Sequence, residues 1–451
     1  MNRFFYNIGI YTLSPLLMAW MGLRARRAGG RWEVLCGARF GRYTSPSSLK
    51  APVWVHAVSL GEVRAAQPFI KALLDQGDTV LLTHMTVTGR EEAAKSFYTA
   101  IKEGRLVQQW MPYDFPGSAR RFLLHYRPAL AVLVEREVWP NIIAAARSLD
   151  IPLVLASARF SDQSLRQTLR TGSVMREAYQ SFQAVYAQTL QDAQRLEQAG
   201  VLGVRVSGNF KFDVTLSQEH VLRGRAFAEA LPRSMITIAS TREGEDELFI
   251  KAILKQVERA RSQGVNLADR VLFCIVPRHP QRFEAVADLL AEAGISFVRR
   301  TEFVKTGETG AANARICSRD HNLVMLGDSL GEMPRYYAAS RVAIVAGSFL
   351  PLGGQNLIEA CAVGTPVLVG PHTANFEQAV FDAIEEGAAQ RAPTPEAALQ
   401  QALQLLEEPQ RLSRMGEAGL HWVQKHAGAV ARVVAGLNEL KKDRGTFGPV
   451  P

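Results

Sequence analysis

The sequence predicts an α/β protein with two Rossmann-like domains. Apolar strand-like runs alternate with helical stretches along most of the chain, which is typical of parallel sheets covered by helices on both faces. The length of 451 residues exceeds what one hydrophobic core usually supports. The strand-like runs form two sets of roughly five or six, as expected for two open parallel sheets.

Each strand-like run is a short apolar segment bounded by polar or turn residues. The runs span residues 52–56, 79–83, 130–134, 152–155 and 184–186 in the first half, and 235–238, 271–276, 295–298, 323–326, 342–345 and 367–369 in the second. Helical periodicity lies between most of them, at residues 63–74, 166–179, 245–260 and 281–293.

The pattern changes at three points along the chain, which predicts four segments. These are an N-terminal anchor and basic segment (1–32), a first Rossmann-like domain (33–215), a second one (216–441) and a flexible tail (442–451). The alternative that the last helices pack back on the first domain stays open. Because open α/β sheets bind ligands beyond the carboxyl ends of their strands, we expect the active site in a cleft that the two domains face.

Composition and charge restrict the class of partner. With 47% apolar and 21% charged residues, large-scale disorder is not expected. The net charge of +9 suits nucleic acid, an anionic membrane or a phosphorylated substrate, or else is a solvated basic surface. Nucleic acid is not expected, because aromatic-basic interleaving and a helix-turn-helix pattern are absent. Four cysteines without metal-ligand spacing indicate a reducing compartment.

The N-terminal segment departs from this pattern. Residues 4–23 carry no charge, and arginines flank them at positions 3, 24, 26 and 27. No small-residue cleavage site follows, which argues against a removed signal peptide. Aromatic and aliphatic residues followed by arginines predict contact with the cytoplasmic face of a membrane, as opposed to a helix packed only on its own protein. Whether the segment spans the membrane or lies on it stays open.

A glycine loop in the second half predicts a phosphate site. It follows the run at 342–345 and contains Gly353 and Gly354, whose backbone can approach a ligand closely. A helical segment at 356–363 follows, and its N-terminus offers unpaired N–H groups to a phosphate. Asn356 begins that helix, and Glu359 lies in its first turn, within reach of a neutral hydroxylated group.

Two groups of polar residues follow strands in the first half. Glu62 comes after Ser59, which can cap the next helix, and after Gly61 at a turn; it is either a general base or a simple complement to the helix dipole. Glu135, Glu137 and Trp139 follow another strand and suit a carbohydrate, whose ring face stacks while its hydroxyls form hydrogen bonds. The alternative is a helix start at Pro140, and both interpretations can hold together.

Phosphate partners are expected at turns within or bordering the second half. Arg278 and His279 follow a strand, and an arginine can bind phosphate oxygens bidentately. Other turns carry Lys211, then Ser240 and Thr241, and then residues 328–332, where Glu332 is expected near the same cleft. No P-loop, dinucleotide-binding or Asp-x-Asp motif is present, so neither a resident cofactor nor a metal is expected.

The chain resembles the 3-deoxy-D-manno-oct-2-ulosonic acid (Kdo) transferases of lipopolysaccharide synthesis. The matching segments are 56–62, 135–141, 208–213, 276–280, 328–332 and 347–376, in order over most of the chain. The resemblance implies a glycosyltransferase-B fold with acceptor binding in the first domain and donor binding in the second. It also implies CMP-Kdo as donor, an acylated and phosphorylated glucosamine disaccharide (lipid A precursor) as acceptor, and inversion at the anomeric carbon.

The roles of the family's site residues can be assigned to the matching positions of this sequence. The resemblance implies Glu62 as the catalytic base. It implies donor binding by Arg278, Gly353, Gly354, Asn356 and Glu359. From their places at strand ends and turns, we further expect acceptor binding by Ser59, Gly61, Glu135, Glu137 and Trp139, and donor binding by Lys211, Ser240, Thr241 and His279. The chain departs from the family pattern at Arg136, where threonine is usual, and at Arg242 and Gln355, where histidine is usual.

The expected function is therefore Kdo transfer at the cytoplasmic face of the inner membrane, with an anionic membrane surface as partner. Two alternatives stay open. One is a transferase of the same fold that uses a UDP-sugar on a lipid-linked acceptor. The other is a non-catalytic sugar-nucleotide-binding membrane protein. The number of Kdo residues added and the oligomeric state also stay open.

Overall fold

The computed structural model describes residues 2–27, 35–214, 216–302 and 322–445. These residues form two compact units, Met1–Asp213 together with His426–Pro451, and Val214–Lys425. Each unit contains one seven-stranded sheet in which every strand pairing is parallel. Two Rossmann-like units are thus confirmed.

The strands are numbered along the chain. They are β1 (Val53–His56), β2 (Val80–His84), β3 (Leu106–Trp110), β4 (Leu130–Val134), β5 (Leu153–Ala158), β6 (Ala184–Ala187), β7 (Val204–Val206), β8 (Ser234–Thr241), β9 (Val271–Pro277), β10 (Phe297–Arg299), β11 (Val324–Leu326), β12 (Val342–Val345), β13 (Val367–Val369) and β14 (Ala389–Arg391). Their order is β3-β2-β1-β4-β5-β6-β7 in the first sheet and β10-β11-β9-β8-β12-β13-β14 in the second.

The helices of the described residues are numbered in the same way. They are α1 (Arg3–Arg27), α2 (Leu60–Asp75), α3 (Val87–Ser96), α4 (Tyr98–Lys102), α5 (Pro116–Tyr126), α6 (Pro140–Ser148), α7 (Asp162–Thr171), α8 (Ser173–Gln180), α9 (Leu190–Gln198), α10 (Gln218–Ala230), α11 (Glu245–Ser262), α12 (Leu267–Arg270), α13 (Phe283–Glu292), α14 (Met333–Ala339), α15 (Ile358–Ala362), α16 (Glu377–Glu385), α17 (Pro395–Leu406), α18 (Pro409–His426) and α19 (Ala429–Gly445).

The central strands were predictable because they are buried on both faces. Every residue of β1, β2, β4 and β5 is buried, so each reads as a continuous apolar run. Three strands were missed: β3, β7 and β14. All three lie at a sheet edge, where one side of the strand has no neighbour and polar residues are tolerated. Each sheet therefore has seven strands, above the predicted five or six.

The C-terminal helix belongs to the first unit. Ala429, Val433, Val434 and Leu437 of α19 pack into the same core as strands β1, β2, β4 and β5. The main-chain division after Asp213 lies next to the predicted boundary at 215. Residues 426–441, assigned to the second domain from the sequence, lie in the first unit, which is the alternative that the sequence left open.

Helix α1 occupies most of the predicted anchor segment. It extends over 25 residues with Pro15 in its interior. Among residues 2–27, 35–214, 216–302 and 322–445, no helix is both long enough and apolar enough to cross a bilayer. The predicted tail lies largely outside the described residues.

Candidate active site

Glu62 lies in the first turn of α2, directly after the carboxyl end of β1. Its backbone N–H donates to Oγ of Ser59, the N-cap residue, at 3.4 Å. In return, Glu62 Oε2 accepts from the backbone N–H of Val58 at 2.7 Å, and Oε1 accepts from the Ser59 hydroxyl at 3.3 Å. This reciprocal arrangement resembles a capping box. Glu62 therefore does stabilise the helix start, and its carboxylate is also held in one place.

The loop that holds Glu62 is itself tied to the neighbouring strand. The carbonyl of Val58 accepts from the backbone N–H of Met85 and of Thr86, both at 3.2 Å, and from the Thr86 hydroxyl at 3.1 Å. A Cβ added at Gly89 would lie 3.1 Å from the same carbonyl. The start of α3 thus packs against this loop with no room for a side chain.

The environment of Glu62 changes its acidity. The pKa of Glu62 is raised to about 7, chiefly by burial; the Val58 N–H lowers the pKa, and the nearby Glu137 and Glu135 carboxylates raise it. At neutral pH the carboxyl group is then close to half ionised. A group with a pKa near the working pH is suited to general acid–base catalysis.

Glu135 lies directly after β4, the strand next to β1. Its backbone is in the left-handed region with φ +62°, which is uncommon for a side chain other than glycine, asparagine or aspartate. Strained backbone of this kind clusters at functional sites. Glu135 Oε1 lies 3.4 Å from Nζ of Lys211, so Lys211, expected on the donor side, lies in the first unit beside the predicted acceptor residues.

Glu137 is the second carboxylate of this loop. Its Oε2 accepts from Nε1 of Trp139 at 2.9 Å, and burial raises its pKa. Trp139 precedes Pro140 at the start of α6, so the helix-start interpretation is also right. The structure thus brings together Ser59, Gly61, Glu62, Glu135, Glu137 and Trp139 after the carboxyl ends of the adjacent strands β1 and β4. The side chain of Lys211, which follows the edge strand β7, reaches the same group at Glu135.

His56, the last residue of β1, was not predicted to have a role. It is completely buried, and its Nδ1 lies 2.8 Å from the Thr83 hydroxyl. Its Nε2 is 3.8 Å from Glu137 Oε2. Burial lowers the pKa of His56 to about 3, so the imidazole near Glu137 is neutral. The sequence signals for it were its position at the end of a buried strand and at the start of the matching segment 56–62.

In the second unit, the glycine loop follows β12 as predicted. Gly353 and Gly354 have φ of +87° and +78°. A Cβ on Gly353 would overlap the side chain of Asn375, and one on Gly354 would lie 3.2 Å from Cα of Thr373. Both positions therefore favour glycine for backbone conformation, and Gly354 also for space, because its added Cβ would meet backbone atoms.

The loop is held by Glu245, which the sequence analysis missed. Glu245 is completely buried in the first turn of α11. Its carboxylate accepts from the backbone N–H of Gly347 at 2.6 Å, of Phe349 at 3.0 Å and of Arg242 at 3.0 Å. Three charge-assisted hydrogen bonds offset the cost of burying this anion. The only signal for Glu245 in the sequence was that it is an acidic residue after Gly244, at a predicted helix start.

The helix after the glycine loop, α15, is shorter than predicted. Asn356 lies before it and accepts from the backbone N–H of Ile358 at 3.0 Å. Its side-chain Nδ2 donates to Glu359 Oε1 at 3.3 Å. Gln355, where the family usually has histidine, packs against Gly347. A Cβ added to Gly347 would lie 2.9 Å from Cγ of Gln355. Asn356 and Glu359 are therefore ordered relative to each other.

The remaining predicted donor residues lie at the carboxyl ends of β8 and β9, which pair in parallel. Ser240 has φ +59° beside a register shift, and Thr241 is completely buried. The N–H of Arg278 donates to the Thr241 carbonyl at 2.9 Å, and His279 is exposed.

Buried Tyr337 lies near two of the predicted donor residues. Burial raises the pKa of Tyr337, Glu359 raises it further and Arg278 lowers it. The charges of Arg278 and Glu359 therefore both act on the Tyr337 hydroxyl.

Glu332 is paired with two buried arginines. Its Oε1 accepts from Arg300 Nη2 at 2.8 Å and from Arg335 Nη1 at 3.4 Å. All three side chains are largely buried. Glu332 thus serves as the shared partner of two buried arginines that join β10 to α14.

Comparison with known proteins agrees with this architecture. A family model described as 3-deoxy-D-manno-octulosonic-acid transferase (kdotransferase) matches residues 36–214. The 3-deoxy-D-manno-octulosonic acid transferase of Bordetella pertussis is 52% identical over 442 residues, covering 97% of this chain and 99% of the relative. The Haemophilus influenzae protein of the same name is 30% identical over 443 residues, covering 96% and 97%.

A solved structure shares the fold at low sequence identity. MurG from Acinetobacter baumannii superposes with a TM-score of 0.52 and 17% identity, covering 86% of this chain and 100% of that chain. That similarity concerns the fold alone. The identity and coverage of the two transferases extend over nearly the whole sequence, and they confirm the resemblance. The chain belongs to the 3-deoxy-D-manno-octulosonic acid transferase family and is a glycosyltransferase.

Proposed function

We propose that the protein transfers Kdo from CMP-Kdo to an acylated, phosphorylated glucosamine disaccharide, a lipid A precursor, with inversion at the anomeric carbon. The observation that carries this proposal is the Glu62 carboxylate, held by Val58 at the carboxyl end of the first sheet with a pKa of about 7. A base with that pKa can accept the proton of a primary hydroxyl as its oxygen attacks.

The reaction is a single in-line displacement. Glu62 takes the proton from the acceptor hydroxyl, whose oxygen forms a bond to the anomeric carbon of Kdo. The bond from that carbon to the phosphate oxygen breaks on the opposite side, and CMP leaves with the electron pair. One displacement from the opposite face inverts the anomeric configuration.

The second unit supplies groups for the nucleotide. Arg278 and His279 are placed at a strand end to compensate the phosphate charge of CMP, and Gly353 and Gly354 let the backbone approach it. Asn356 and Glu359 offer hydrogen-bonding groups for the nucleoside or sugar hydroxyls. CMP carries one phosphate, so cationic side chains and backbone N–H groups can suffice without a metal ion.

The first unit supplies groups for the acceptor. Trp139 offers a ring face for a sugar, and Glu135 and Glu137 can accept hydrogen bonds from its hydroxyls. Phe4, Phe5, Leu16, Trp20 and Leu23 of α1 are each more than half exposed, and arginines follow them in the sequence. This composition supports binding of α1 to the cytoplasmic face of the inner membrane, where an acylated acceptor resides.

A donor panel tests the proposal. Purified protein in detergent is mixed with the lipid A precursor and either CMP-Kdo or UDP-hexoses, and release of CMP or UDP is measured. We expect CMP release and a product heavier by whole Kdo units; product mass also counts the residues added. Turnover with a UDP-hexose alone would favour the other transferase, and release of neither nucleotide would favour a binding protein.

A further inference from the structure

Asp114 connects distant parts of the first unit. It lies between β3 and α5 and is buried. Its Oδ1 accepts from the backbone N–H of Ile142 at 2.8 Å, and its Oδ2 accepts from that of Asn141 at 3.0 Å. These N–H groups belong to the first turn of α6, whose N-cap residue Trp139 gives no side-chain cap. Asp114 therefore caps α6 from another part of the chain.

Helix α1 joins the same hydrogen-bond network. The Tyr6 hydroxyl donates to Asp114 Oδ2 at 2.8 Å. The side-chain amide of Asn141 donates to Asn7 Oδ1 at 2.7 Å and to the Asp114 carbonyl at 2.6 Å. Burial raises the pKa of Tyr6, and the Asp114 carboxylate raises it further, so this phenol stays protonated as a donor.

An apolar contact continues this attachment along α1. The Tyr11 ring packs on Phe115, the residue after Asp114, with centroids 5.1 Å apart. Residues in two successive turns of α1 thus touch the 114–115 segment or α6. The apolar side chains proposed above for membrane contact are other residues of the helix, so membrane binding does not require the Tyr6 and Asn7 contacts.

The hydrogen-bond network lies close in the sequence to two of the predicted acceptor residues. Asn141 is two residues after Trp139 and four after Glu137, and the loop that carries them ends where Asp114 binds the start of α6. The other end of the loop is the strained backbone of Glu135. A displacement of the α6 N-terminus would therefore move the loop that carries Glu137 and Trp139.

We infer that α1 is a positioning element of the acceptor site, in which Tyr6 and Asn7 act through Asp114 and Asn141 on the loop at 135–139. The inference rests on the proposed function for the identity of the acceptor. It adds that α1 contributes to transfer even when no membrane is present. Tyr6 and Asn7 are positioning residues, since neither is adjacent to the reacting atoms.

The test uses the full chain with the double substitution Tyr6→Phe and Asn7→Ala. The matched control is Tyr11→Phe and Thr12→Ala, because it keeps the ring on Phe115 and removes a hydroxyl that donates only within α1. For both variants we measure hydrogen exchange of the 135–148 segment, and kcat and KM for each substrate in detergent. We also measure their melting temperature and their binding to anionic phospholipid vesicles.

We expect exchange at Asn141 and Ile142 to become about tenfold faster in the Tyr6/Asn7 variant, the effect of one or two lost hydrogen bonds. Acceptor kcat/KM should fall by about tenfold as well, with KM for CMP-Kdo, melting temperature and vesicle binding close to wild type. The control should match wild type in every measurement.

Unchanged exchange and unchanged acceptor kcat/KM would overturn the inference, and so would an equal loss for donor and acceptor. Failure of the proposed function would look different. The wild-type protein would then release no CMP from CMP-Kdo, while the exchange result would still decide whether α1 holds the 135–139 loop.

Discussion

The Glu62 carboxylate accepts a hydrogen bond from the backbone N–H of Val58 at 2.7 Å. Since the Val58 carbonyl is bound in turn by Met85 and Thr86 at the end of β2, the carboxylate is fixed to the sheet and not only to its own helix. The same contact thus stabilises the start of α2 and, in the proposed mechanism, holds the base in position.

Replacement of Glu62 by glutamine should remove transfer and keep the fold. Glutamine retains an oxygen for the Val58 N–H but cannot take a proton at neutral pH, so we expect kcat to fall by about 10²–10⁴-fold. Binding of CMP-Kdo, measured by calorimetry, should be nearly unchanged. Glu103→Gln, at an exposed residue paired with Arg105, is the control and should retain full activity. Full turnover by Glu62→Gln would exclude Glu62 as the base.

The rate should depend on pH through the same group. The ionised carboxylate is the active form, and its pKa is raised to about 7; acceptor kcat/KM should therefore rise from pH 5 through the pKa and level off only about one pH unit above it. Since the charge of Glu137 contributes to that increase, the inflection in Glu137→Gln should move to lower pH. A profile that is flat between pH 5 and 8, or an inflection that moves upward in this variant, would contradict the assignment.

Glu245 should control the donor loop. In Glu245→Gln one of the oxygens facing Gly347, Phe349 and Arg242 becomes an NH₂ group that faces a donor, so the free energy of unfolding should fall by about 1–3 kcal/mol. KM for CMP-Kdo should rise, and KM for the acceptor should not. Glu247→Gln, in the same helical turn, keeps the buried hydrogen bonds and is the matched control. Equal behaviour of the two variants in denaturant unfolding and kinetics would disprove the role of Glu245.

Alanine variants of two glycines in the second unit allow the effect of backbone strain to be distinguished from the effect of steric contact. Gly354 and Gly387 have nearly equal φ, +78° and +80°, but only Gly354 has backbone within 4 Å of an added Cβ. Both alanine variants should lose about 1 kcal/mol of stability from the left-handed backbone. Gly354→Ala alone should weaken CMP-Kdo binding, measured by calorimetry, because the loop must move away from Thr373. Equal binding by the two variants would argue against Gly353–Gly354 as the donor loop.

Metal removal should leave the reaction intact. The proposed leaving group has a single phosphate, whose charge Arg278 and backbone N–H groups can compensate. We expect the same kcat in EDTA as in Mg²⁺ when CMP release is measured. Loss of activity in EDTA that Mg²⁺ restores would instead require a metal site for this donor.

Much of the fold was predictable because the signal is local. Strands β1, β4, β9 and β12 lie inside their sheets and read as unbroken apolar runs. Edge strands lack this signal, and β3 shows why: Gln108 and Gln109 interrupt it and are only partly buried. Its place in the sheet depends on pairing with β2, which no short sequence window contains.

The sequence predicted which residue types form the site, but it did not predict all of their contacts. Glu62, Glu135 and Glu137 stood at predicted strand ends, and the parallel sheet does bring those ends together. Lys211 was expected with the donor residues, yet it lies 3.4 Å from Glu135. Glu245 was missed, because its partners Gly347 and Phe349 lie about a hundred positions further along the chain.

The sequence by itself determined the family, the two parallel sheets and the residue types at the strand ends, because apolar runs and ordered motifs are properties of neighbouring residues. Only the tertiary structure decided the pKa of Glu62, the contact of Lys211 with Glu135 and the cap that Asp114 provides for α6. Burial, charge–charge interaction and hydrogen bonding act through space, and they join residues that are far apart in the chain.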